Sequence, residues 1–226
     1  MTIDYKIINK CDFPILNINN FTSNDDLKLI KKEIIKLVTE TNDSNVSGYF
    51  PDDKLVKFDR VFLDDYYIND RTQSDILNIV SKYMFSREMM DLCSSLKDGA
   101  FKNIEHTNHH ESKLTFYGNN HVYEWHNDIK YGRLINWILY VDIDSDFTGG
   151  ENQISNDDLT ENYSDNYNID ISTKPKDNML IMMPAWVTHR VAPVFCKSKD
   201  KLKGRITING HIGYKPKCVN CGSIFK

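Results

Sequence analysis

Leu27, Ile30, Ile34, Ile35, Leu37 and Val38 recur at helical spacing, with Lys31, Lys32, Glu33 and Lys36 between them. Thr22 and Ser23 stand just ahead as cap candidates, so the run predicts an amphipathic helix. Residues 41–60 are polar and broken by Gly48 and Pro51, the texture of a loop. Helical periodicity returns at about 72–96, from Ile76, Leu77, Ile79 and Val80 through Met84 to Met89, Met90, Leu92 and Leu96. The methionines there fit core packing. After Gly99 the pattern changes to short β-branched and aromatic runs separated by turn residues, at 113–118, 121–125, 134–142, 178–183, 187–195 and 205–214. Short strands without intervening helices predict an antiparallel sandwich or barrel. The acidic, Asn-rich stretch 155–168 reads as a surface loop inserted into it. The expected fold class is α+β, with N-terminal helices buttressing one sheet.

The 226 residues suffice for one domain with a core that needs no disulfide or structural metal. The expected division is mainly helical support over 1–100, a β core over 101–216 and a tail over 217–226. A net charge of −4 with interspersed signs gives no general case for coating nucleic acid or an anionic membrane. Asp4, Lys6 and Lys10 interrupt the apolar N-terminal stretches, and no long apolar window occurs elsewhere, so neither a signal peptide nor a membrane span is expected. The cysteine count is five, an odd number, and Cys11, Cys93 and Cys196 are scattered as reduced thiols would be. Cys218 and Cys221 have C-x-x-C spacing without a second pair to complete a zinc site, and read as ordinary thiols. A cytoplasmic protein is expected, in the host cytoplasm if the Asn, Ile, Lys and Asp bias reflects a phage gene.

Candidate chemistry begins at His126 and Asp128. Two good ligands at i and i+2 on a strand would share a face. A chain with seven His and many Asp produces such a triplet by chance, so it gains meaning only in combination with a second histidine and an arginine further along the chain. His189 lies just beyond the hydrophobic run Met179 to Met183, and Gly204-Arg205-Ile206-Thr207 opens the last long strand. Two histidines and one carboxylate leave three octahedral positions open, as in non-haem Fe(II) oxygenases, whereas structural zinc wants a closed tetrahedral shell. The Arg205 fork suits a co-substrate carboxylate in a partly dry pocket, and Thr207 on the same face can donate a hydrogen bond. Trp125, Trp137 and Trp186 read as packing residues. His106, His109 and His110 lie in the polar segment EHTNHHE, which reads as a solvated loop.

Over about 113–214 the chain resembles the 2-oxoglutarate and Fe(II)-dependent dioxygenases, in particular their prolyl 4-hydroxylase-like branch. The resemblance rests on the ordered set Tyr117, Tyr123, His126, Asp128, Tyr140, Gly149-Gly150-Glu151, Pro184, His189, Val191, Pro193-Val194, Gly204-Arg205 and Thr207. It implies a double-stranded β-helix, or jelly roll, with His126, Asp128 and His189 as iron ligands. It further implies that Arg205 pairs with the distal carboxylate of 2-oxoglutarate, that Thr207 stands in the family's serine position, that Tyr140 shares the distal carboxylate and that Tyr117 lies near the other end of the co-substrate. Tyr117 and Tyr140 also read as core aromatics. His211 stands where many relatives have Trp, and Asn152 where Leu is usual. The implied cofactors are Fe(II), 2-oxoglutarate and O2, with ascorbate a candidate reductant. The implied reaction couples decarboxylation of 2-oxoglutarate, to succinate and carbon dioxide, with hydroxylation of an acceptor.

For the acceptor, the branch implies a prolyl residue in a polypeptide, bordered by a loop for which residues 42–59 are the candidate. The alternatives are the same chemistry on a free amino acid, small molecule or nucleobase, and a non-catalytic jelly-roll binding protein.

Overall fold

The computed structural model describes residues 4–8, 11–40, 56–130, 132–157 and 167–215. Most of the two polar loops (41–55 and 158–166), Cys218, Cys221 and the tail lie outside the described residues.

In chain order the strands are β1 (Asp4–Ile8), β2 (Ile15–Asn19), β3 (Val56–Lys57), β4 (Asp59–Phe62), β5 (His109–Tyr117), β6 (Val122–His126), β7 (Arg133–Val141), β8 (Phe147–Gly149), β9 (Asn152–Ser155), β10 (Ile171–Thr173), β11 (Met179–Pro184), β12 (Thr188–Val191), β13 (Val194–Cys196) and β14 (Arg205–Gly213). The helices are α1 (Asn24–Glu40), α2 (Leu63–Tyr66), α3 (Asp75–Met84), α4 (Arg87–Ser95) and α5 (Gly99–Lys102). A large antiparallel sheet runs β1-β2-β11-β7-β14-β5-β4, a smaller one β10-β9-β12-β6-β3, and β13 pairs with β8. The two main sheets pack face to face as a jelly roll, through Ile138, Ile181 and Met183 of the large sheet and Ile154 and Ile171 of the small one.

Period-two alternation sorts the large sheet into two faces. On β14, Ile206, Ile208 and Ile212 join Leu139, Val141 and Trp137 of β7 in a core shared with the helices. Arg205, Thr207 and His211 take the opposite face. Against the outer face, α1 buries Leu27, Ile30, Ile34 and Leu37, each burial contributing about 1.5–3 kcal/mol. Ser23 caps this helix: its Oγ accepts from Asp26 N at 3.2 Å and its carbonyl accepts from Leu27 N at 2.9 Å. Buried Glu33 then ties α1 to α3, accepting from Ser74 Oγ at 2.7 Å and Ile76 N at 2.8 Å.

One expectation needs correction and a second gains detail. The helical region at 72–96 is two helices, broken where Phe85 ends α3 and Ser86 Oγ accepts from Met89 N at 3.2 Å to start α4. Residues 1–100 also contribute four strands besides helices: β1 and β2 extend one edge of the large sheet, β4 closes the other, and β3 edges the small sheet. Among the described residues no helix is long and apolar enough to cross a membrane.

Candidate active site

His126 ends β6 and His189 lies on β12, and the two are direct partners across the antiparallel ladder. Asp128 is not on the strand, as the i and i+2 reading had it. It follows β6 in a turn fixed by its own N–H, which donates to Ala185 O at 2.8 Å. Ligand atoms of His126, Asp128 and His189 all lie within 4.8 Å of one another. Each histidine donates its Nδ1–H to a backbone carbonyl, His126 to Glu124 O at 2.6 Å and His189 to Val187 O at 2.9 Å. That fixes the tautomer and leaves both Nε2 lone pairs free. His189 Nε2 is 3.6 Å from Asp128 Oδ2.

Burial and the neighbouring His189 push the His126 pKa down to about 3, so the ring stays neutral at ordinary pH. Burial works against an ionised Asp128, but His126, His211, His189 and Lys113 outweigh it and hold the carboxyl well below its usual range. The neutral His126 imidazole and the ionised Asp128 carboxylate are therefore ready to bind a metal without first losing protons. The donor set fits a divalent iron and leaves the rest of its shell open.

Arg205 opens β14 and lines the same cavity as the three candidate ligands, buried to 1% exposure. Its Nε donates to Gly150 O at 2.8 Å and one terminal nitrogen approaches Tyr140 Oη at 3.4 Å. Its guanidinium sits 4.7 Å from the Tyr117 ring centre and 4.9 Å from that of Tyr140, so both aromatics pack against it. Gly150 has φ +71°, and a Cβ there would come within 2.7 Å of Arg205 Cδ, which explains the glycine of the Gly149-Gly150-Glu151 run. Burial raises the pKa of both tyrosines above the ordinary phenol value, against the pull of Arg205, so both keep their protons. Thr207 Oγ1 is 2.5 Å from Thr115 Oγ1.

One cavity is lined by the three candidate ligands together with Tyr117, Arg205 and Thr207. Tyr140 borders a second pocket on the other side of Arg205, with Asp142, Phe147 and Lys176. The candidate ligands and co-substrate residues read from the sequence thus gather around Arg205 or around the His-Asp-His cluster.

Sequence reasoning missed Asn136. Its Nδ2 donates to Asp128 Oδ2 at 2.8 Å, while its Oδ1 accepts from His211 Nδ1 at 2.7 Å. His211, which stands where many relatives have Trp, therefore orients an amide that orients the carboxylate. We expect Asn136→Ala to weaken iron binding about 10–100-fold, the usual loss when an outer partner of a ligand is removed, as read by metal titration. The other departure, Asn152, is fully buried, and neither its Oδ1 nor its Nδ2 has a partner among the described residues.

Two sequence readings of aromatic and imidazole groups are revised. Trp125 and Trp137 pack, but Trp186 is 41% exposed, next to the Ala185 that holds Asp128. His110 belongs to β5 instead of a solvated loop. It meets Phe85 edge-on at 5.3 Å and Trp137 at 5.2 Å, and burial pushes its pKa down to about 4.

Residues 112–213 match the model of the 2OG-Fe(II) oxygenase superfamily. This stretch is a 2OG-Fe(II) oxygenase domain, and it makes the chain a dioxygenase that depends on Fe(II), 2-oxoglutarate and O2. Among solved structures, a Pseudomonas putida prolyl-4-hydroxylase is similar at 12% identity and TM-score 0.53, covering 91% of this chain and 95% of that one. The viral collagen prolyl hydroxylase of Paramecium bursaria Chlorella virus-1 is similar at 15% identity and TM-score 0.50, covering 88% and 94%. EctD from S. alaskensis, solved with 2-oxoglutarate and 5-hydroxyectoine, is similar at 11% identity and TM-score 0.59, covering 88% and 72%. These similarities bear out the jelly-roll fold. No curated protein matches the chain.

Proposed function

We propose that the chain hydroxylates prolyl residues of a polypeptide, with His126, Asp128 and His189 as iron ligands and Arg205 as the anchor for the distal carboxylate of 2-oxoglutarate. The observation that carries the site assignment is the convergence of two Nε2 lone pairs and one ionised carboxylate, each with its other polar atom held by the protein. Iron bound there supplies the redox chemistry by which one atom of O2 enters succinate and the other the acceptor.

The chain's own groups do the rest. Asn136 holds the Asp128 carboxylate in place, while the carbonyls of Glu124 and Val187 hold the imidazoles. Tyr117 and Tyr140 fix the guanidinium of Arg205, which offers a preset fork to a carboxylate. Thr207 lines the same cavity and adds a hydroxyl. Near-complete burial of Arg205 removes competing water, so the pairing is stronger than at a surface.

The prolyl acceptor is supported by the ordered motif set and by the similarity in fold and length to two prolyl hydroxylases. A small-molecule acceptor is the second reading, favoured by the charged pocket beside the metal cavity. The experiment is mass spectrometry of proline-peptide libraries incubated with protein, Fe(II), 2-oxoglutarate and ascorbate. A gain of one oxygen on proline, with succinate released above the uncoupled background, is expected. Oxygenation of a free amino acid or nucleoside with no peptide product would replace the prolyl reading by the second.

A further inference from the structure

The metal cavity shares a wall with a larger pocket of about 450 Å³, and Lys113 on β5 lines both. Most charged groups around that second pocket already have partners. Asp64 pairs with Arg71 and accepts from Ser112 N at 2.6 Å. Glu111 accepts from Arg133 at 2.8 Å and lies 3.0 Å from His109 Nε2. The Lys113 side chain has neither a hydrogen bond nor an ion pair among the described residues; burial disfavours its charged form, and the carboxylates that favour it, Asp128 and Glu111, act without direct contact. With Glu111 already paired to Arg133 and Asp128 committed to the metal, such an ammonium is an incomplete site, because a buried cation is stable only with a partner charge.

The charges of the loaded site show what is missing. A divalent metal is opposed by Asp128 and one carboxylate of 2-oxoglutarate, and Arg205 by the other carboxylate. Lys113 is the cation left over, at the boundary where an acceptor must sit to reach the metal. We propose that Lys113 determines acceptor specificity by pairing with a carboxylate that the acceptor carries close to the carbon it presents. This rests on the hydroxylase reading above. The carboxylate has two sources, an acidic residue or C-terminus beside a peptidyl proline, or the α-carboxylate of a free amino acid.

Anaerobic isothermal titration of the protein loaded with Fe(II) and 2-oxoglutarate, with matched acid and amide probes, tests the pairing apart from turnover. The probes are a proline peptide with Asp or Asn beside the proline, the same peptide ending in a free acid or an amide, and L-proline against L-prolinamide. Close charge pairs of this kind support a preference of about tenfold or more, so at least one acid probe should bind that much better than its amide. Lys113→Met should abolish the preference and Lys113→Arg should keep it, the latter showing that the pocket remains folded. The affinity for 2-oxoglutarate should be the same in all three proteins. Absence of any acid preference, its survival in Lys113→Met, or a loss of 2-oxoglutarate binding in that variant would each overturn the proposal. A preference seen with L-proline but not with peptides keeps the Lys113 pairing and removes the peptidyl reading.

Discussion

Asp128→Ala protein is expected to lose iron and turnover together. Asp128 is the single anion of the His-Asp-His cluster, and its loss leaves only two imidazoles facing a hard divalent cation. The decrease in metal affinity should exceed the roughly 10–100-fold expected for an outer partner such as Asn136. Metal titration followed by succinate assay measures both quantities on one sample. Unchanged affinity in Asp128→Ala would remove this carboxylate from the ligand set.

The second large effect is expected at Arg205. Truncating one member of a buried, charge-assisted pair costs about 2–5 kcal/mol because the other charge is left unpaired. For Arg205→Ala that corresponds to an increase of roughly 30-fold to several thousand-fold in the 2-oxoglutarate concentration needed. Metal affinity should stay near the wild-type value, since Arg205 does not touch the ligand cluster and its polar contacts are to Gly150 and Tyr140. Arg205→Lys should restore only part of the loss, because a point charge lacks the planar fork that Tyr117 and Tyr140 clamp. A co-substrate titration of both variants checks the order. An unaltered 2-oxoglutarate requirement in Arg205→Ala would move the anchor elsewhere.

The parts of the fold readable in the sequence are those where one element decides its own pattern. α1 shows its buried stripe and its Ser23 cap directly, and the interior row of β14 follows from alternation starting at Arg205. Elements decided by their neighbours stayed hidden. β1 exposes Asp4, Tyr5 and Lys6 and becomes a strand by pairing with β2, so its polar residues masked it. The junction of α3 and α4 was hidden because the apolar stripe continues past it, although Ser86 carried the cap signal. The same division holds in the site. His126, Asp128, His189 and Arg205 are legible through residue type and order, whereas Asn136 has an ordinary strand position and matters only because the fold brings Asp128 and His211 to its two ends.

The placement of the three candidate ligands has a mechanical consequence for the whole barrel. Both histidines sit on the small sheet, whereas Asp128 is tied through Asn136 to β7 and through Ala185 to the end of β11, both in the large sheet. One ion held by all three residues would rivet the two sheets together at the rim of the jelly roll. The free energy of holding it would then also oppose unfolding, so the resistance of this chain to heat and to proteases becomes a function of the free iron around it.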